Sequence, residues 1–162
     1  MSKPANLSHG HTRRWHNNPN YLLRTSLDTV DAHQGRMARL RREIFPGPNK
    51  EIDDAICDHD LAEIFTRDWS RPDKDNIPGL DDAMKAADAA YLEYIGANML
   101  AAANFAALKL LDQMDALYWV SHVAPDDLEA PWWRKVSRQI MESAEAMGED
   151  TARRVNKWRT EL

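Results

Sequence analysis

The sequence predicts an all-α protein. Apolar residues recur mostly at three- and four-residue spacing along several long stretches, the period of an amphipathic helix. Clusters of Pro, Gly, Asn and Asp separate those stretches, and no run alternates apolar and polar residues as a half-buried strand does. The length of 162 residues suits a single domain with one sizeable core. The expected architecture is therefore a one-domain helical bundle over 1–162, with about five main helices and an N-terminal arm.

Residues 1–20 form that arm, where Pro4, Gly10, Asn17, Asn18 and Pro19 break any periodic pattern. His9, His11, Arg13, Arg14, Trp15 and His16 crowd into it, so it is either a solvated tail or a segment that covers a ligand. From about Leu22 to Phe45, the positions Leu23, Leu27, Val30, Met37, Leu40 and Ile44 mark a first helix, which Pro46-Gly47-Pro48 ends. His33 falls on its apolar stripe, as a hydrogen-bonded core residue or as a metal ligand. A second helix is expected from about Lys50 to Arg67, with Asp53 and Asp54 at the positive end of its dipole. The breaker-rich run from Asp68 to Gly79 reads as a long loop, a form often functional inside a domain.

Leu80, Met84, Ala87, Tyr91 and Ile95 mark a third helix that Gly96 ends or bends. A fourth, largely buried helix follows from Ala97 through Leu108, Leu111, Met114, Leu117 and Tyr118. Asp112 is embedded in it, and a buried aspartate needs an arginine, a cap or a metal. After Pro125-Asp126-Asp127 a last helical region runs from about Leu128 to Arg159, interrupted at Gly148. Trp132 and Trp133 are expected to anchor packing there, with a subunit contact as the alternative.

Net charge is −5, from 21 Lys and Arg against 26 Asp and Glu. That balance argues against broad binding to a nucleic-acid polymer or an anionic membrane, while leaving room for a local basic pocket. No apolar run is long enough to span a membrane and the start lacks a signal-peptide core, so a cytoplasmic location is expected. The single cysteine, Cys57, excludes an intrachain disulfide and reads as a small buried apolar residue.

The chemistry concentrates in the stretch from His59 to Asp68. His59-Asp60 offers an imidazole nitrogen and a carboxylate oxygen, both acceptable to a divalent metal. On a helix, Glu63 stands one turn beyond His59, close enough to handle protons without being a ligand. As a lone dipeptide, His59-Asp60 reads first as part of a helix with a capping histidine and solvated acids. Read with His33 before it and Asp112 after it, the set offers N and O ligands for one ion from three separate helices.

The order His33, His59-Asp60, Asp112 resembles the metal signature of the HD-domain phosphohydrolases, an all-α superfamily. His59-Asp60-x-x-Glu63-x-x-Thr66-x-Asp68 resembles the block of its 5′-deoxynucleotidase branch, Thr29-Val30-Asp31-Ala32-His33 its first histidine segment, and Leu108-Lys109-Leu110-Leu111-Asp112 the segment of its last aspartate. Arg14-Trp15-His16, with Pro72, Lys74 and Lys109, is similar to the small phage dATP triphosphohydrolases within that branch. The resemblance covers roughly residues 13 to 119. Two departures stand out. Ala32 occupies the place where a glutamate commonly precedes the first histidine, and the interval from Trp15 to His33 is longer than usual. Asp115 competes with Asp112 as the last ligand.

The resemblance implies hydrolysis of a deoxynucleoside triphosphate, dATP first, to deoxynucleoside and triphosphate. It implies a divalent ion (Co, Zn, Mn or Mg) on His33, His59, Asp60 and Asp112, with Glu63 and Asp68 as catalytic residues. Arg14, Lys74 and Lys109 would meet phosphate, Trp15 the deoxyribose and Pro72 the base. It also implies a homo-oligomer. Two alternatives remain open, a 5′-deoxynucleotidase acting on monophosphates and a catalytically silent interaction protein with the same fold.

Overall fold

The computed structural model describes residues 28–60, 69, 71–94, 96 and 100–162, with the backbone alone at 71–73. Among these residues there are seven α-helices and one 3-10 turn, with no strand, so the all-α expectation holds. The chain divides into two units, one ending at Gln34 and resuming over Asp54–Met99, the other comprising Gly35–Asp53 and Leu100–Leu162.

Helix α1 spans Val30–Ile44 and begins the first unit's described part before entering the second. It starts later than Leu22, because Asp28 and Thr29 lie outside the helix; residues 22–27 are outside the described set. Its first turn is capped locally, with Asp31 accepting hydrogen bonds from the Thr29 hydroxyl and, at 2.9 Å, the Ala32 amide. Val30, His33, Met37, Leu40 and Ile44 are its buried stripe, as the helical period demands. Buried Arg41 closes the C-terminal end by donating to the carbonyls of Phe45 at 3.0 Å and Gly47 at 2.5 Å. Its Nε also faces Asp53 at 3.0 Å.

Helix α2 spans Lys50–Asp58. Asn49 caps it, its Oδ1 accepting the Ile52 amide at 3.2 Å. The expected continuation to Arg67 does not occur from this helix, which gives way to a turn at His59-Asp60. Its last turn has no basic residue and ends in acid, which opposes the helix dipole. Residues 61–68 lie outside the described set.

Part of the stretch read as a loop is helical: α3 covers Arg71–Asn76. Pro72 signalled a breaker, but at the second helical position its missing N–H costs nothing, because first-turn amides have no intrahelical partner. Gly79, at φ 78, turns the chain into α4, Leu80–Tyr94, and α3 packs on α4. Gly96, at φ 68, ends this region, its amide reaching the Glu93 carbonyl at 3.0 Å.

The second unit is built on α5, Ala102–Val123. Ala101 supplies no side-chain cap. Glu51 of α2 meets this end from outside, accepting the Ala101 backbone amide at 2.9 Å and the side-chain Nδ2 of Asn104 at 2.6 Å. Ala107, Leu108, Leu110, Leu111, Met114, Leu117 and Val120 are all buried, a wider surface than one stripe and the mark of a helix covered on several sides. The 3-10 turn Pro125–Glu129 and α6, Pro131–Ala146, pack against it. The last helical region therefore starts at Pro131 rather than Leu128. Helix α7, Glu149–Thr160, returns onto α6 after the break at Gly148. Trp133 is buried, in keeping with a packing anchor, whereas Trp132 is half-buried beneath the Lys135 ammonium, 5.7 Å from its ring centroid. No helix among the described residues is long and apolar enough to cross a membrane.

Candidate metal centre

Three of the residues that the sequence singles out come together in the first unit: His33, His59 and Asp60. His33 arrives from the first turn of α1 and is fully buried. His59 and Asp60 come from the turn after α2, each with side-chain exposure of 15%. The two imidazole Nε2 atoms are 3.4 Å apart. One Asp60 oxygen lies 3.3 Å from His33 Nε2, and the other lies 3.2 Å from His59 Nε2.

The end of α2 orients the His59 ring. Ile56 O lies 3.1 Å from His59 Nδ1, and a carbonyl only accepts, so Nδ1 is the donor in this contact. Nε2 is then the ring atom directed at Asp60 and His33. Two imidazole nitrogens and a carboxylate facing one another are the donor types that a divalent cation accepts.

The spacing fits such an ion. Donor atoms bound tetrahedrally at about 2.0–2.1 Å lie about 3.3–3.4 Å apart, and the observed separations are 3.2 to 3.4 Å. A ligating histidine commonly donates its other ring N–H to a backbone carbonyl, as His59 does to Ile56. The residues present therefore fit a divalent metal. Three protein ligands leave further positions for water or a phosphate oxygen.

The remaining expectations divide by position. Asp112 lies on α5 in the second unit and is half-buried rather than deeply embedded. The fully buried aspartate of α5 is its competitor, Asp115, and an arginine accounts for it. Arg36 grips both its oxygens, Nε to Oδ1 at 2.6 Å and Nη2 to Oδ2 at 2.9 Å. Lys109 is exposed on α5, its ammonium 5.8 Å from the Phe105 ring centroid. Lys74 is half-buried in the last turn of α3, and Pro72 is placed only by its backbone. Arg14, Trp15, Glu63 and Asp68 lie outside the described residues.

Cys57 is exposed, not buried as expected, since α2 turns it away from buried Ile56. Sequence reasoning passed over Gln34, whose side-chain amide donates to the Cys57 carbonyl at 3.1 Å. It also passed over Arg36, Arg41 and buried Asp28. Arg36 and Asp115 are separated by 79 residues and carry no local pattern that announces their pairing. No match was found among protein-family models, curated proteins or solved structures.

Proposed function

We propose that this protein is a metal-dependent phosphohydrolase of the HD-domain type that cleaves a deoxynucleoside triphosphate, dATP first, to deoxynucleoside and triphosphate. The observation that carries the proposal is the convergence of His33 Nε2, His59 Nε2 and Asp60 at separations suited to one ion. The nucleotide and the triphosphate product rest on the resemblance of Arg14-Trp15-His16 and the His59–Asp68 block to the phage enzymes.

A divalent ion held there supplies Lewis-acid activation of water and neutralises phosphate charge. His33, His59 and Asp60 hold it, and the resemblance gives Asp112 as a fourth ligand. The Arg36 grip on Asp115 supports that choice, because it occupies both oxygens of the rival carboxylate. Glu63 shuttles a proton to the departing 5′ oxygen and Asp68 orients the sugar. Arg14, Lys74 and Lys109 bind the phosphates, Trp15 packs on the deoxyribose and Pro72 on the base. The reaction belongs to nucleotide-pool control in the cytoplasm, that of the host for a phage-encoded chain, and the protein works as a homo-oligomer.

The test is incubation with cobalt, manganese, zinc or magnesium and a panel of dNTPs, NTPs and dNMPs, with product identification. Deoxyadenosine and intact triphosphate from dATP are the expected result. Turnover of dAMP alone assigns the chain to the 5′-deoxynucleotidases instead. No turnover of any nucleotide, together with no bound metal, returns it to a silent helical interaction protein.

A further inference from the structure

Two consecutive carbonyls at the end of α2 are contacted by side chains connected to the metal centre. Ile56 O accepts the His59 ring at 3.1 Å, and Cys57 O accepts Gln34 Nε2 at 3.1 Å. Gln34 follows His33 directly on α1. Its hydrogen bond thus ties the His33 turn of α1 to the end of α2, two residues ahead of His59 and three ahead of Asp60.

We infer that Gln34 is a positioning residue for the metal centre, holding the His59-Asp60 turn in register with His33. The need for such a tie follows from the geometry. His33 sits on a continuous helix, fully buried, whereas His59 and Asp60 sit in a turn just past the last helical residue of α2. Ligand atoms have to be placed within about half an ångström for productive geometry. The His59–Ile56 bond fixes the ring within its own segment, and the Gln34 amide fixes that segment against α1. Gln34 contacts no ligand atom in this role; it acts through Cys57 O. Partners that hydrogen-bond a ligand directly change metal affinity by about 10–100-fold when removed, and Gln34, acting one bond further out, belongs at the lower end of that range.

The inference rests on the metal reading above, and the test separates the two. Cobalt(II) is titrated into wild-type protein, Gln34→Met and Asn49→Ala, following the visible ligand-field spectrum and the thermal midpoint. Gln34→Met keeps the side-chain length and loses the donor. Asn49→Ala removes the cap at the opposite end of the same helix, so it weakens α2 without touching the tie. The expected result is about tenfold weaker cobalt binding and an altered spectrum in Gln34→Met alone, with Asn49→Ala lowering the midpoint at wild-type cobalt affinity. Wild-type affinity and spectrum in Gln34→Met overturn the inference. Equal weakening in both variants also overturns it, since helix stability then explains the effect. A wild-type protein that binds no cobalt overturns the metal reading itself, and this inference with it.

Discussion

The fully buried carboxylate of Asp115 is held by the Arg36 guanidinium, whose Nε and Nη2 donate to its two oxygens. A buried charge with its partner removed costs about 3–5 kcal/mol, yet replacing the whole pair with apolar groups is often neutral. Arg36→Met is therefore expected to destabilise the fold by about 3 kcal/mol. The double variant Arg36→Met, Asp115→Leu recovers most of that loss in urea denaturation. A double variant no better than the single one argues that the pair does more than balance charge.

Helix ends decide the local architecture more than helix interiors do. Asn49 caps α2, Glu51 meets the start of α5 from outside, and Arg41 closes α1. Asp150 in the first turn of α7 is held below the usual carboxylate value, by hydrogen bonds from Arg154 first and then Arg153. Its stabilising effect is present above the unfolded value and lost as pH falls through the lowered one. Full exposure keeps that effect small. The sharper element-level prediction concerns the α6–α7 junction. Gly148 has φ 117 and ψ 163, a conformation essentially reserved for glycine, although a Cβ there would meet no atom within 4 Å. Gly148→Ala is expected to cost about 1–3 kcal/mol through backbone strain alone. An unchanged urea midpoint would show that the junction adapts.

For the whole molecule, a metal bound only by the folded protein couples the site to global stability. At a free cobalt concentration of about 100 Kd the gain is about 2.7 kcal/mol, which raises the midpoint by about 5–10 °C in a domain of this size. A chelator should reverse the rise, and Asp60→Ala should abolish it while the apo midpoint moves little. An equal cobalt-induced rise in Asp60→Ala would place the ion elsewhere.

The helical class, the buried stripe through Val30, Met37, Leu40 and Ile44, and the break at Gly148 were legible in the sequence, because side-chain periodicity and glycine's backbone freedom are local properties. So was the grouping of His33 with His59-Asp60, through the order of motifs rather than any single one. The end of α2 at Asp58, the helix at Arg71–Asn76 and the exposure of Cys57 were not. Nor were the Arg36 grip on Asp115 and the Gln34 tie to Cys57 O. Each depends on which unpaired group meets which partner across a long stretch of chain. Folding makes that choice among distant residues by burial and hydrogen-bond satisfaction, and no local pattern in the chain encodes it.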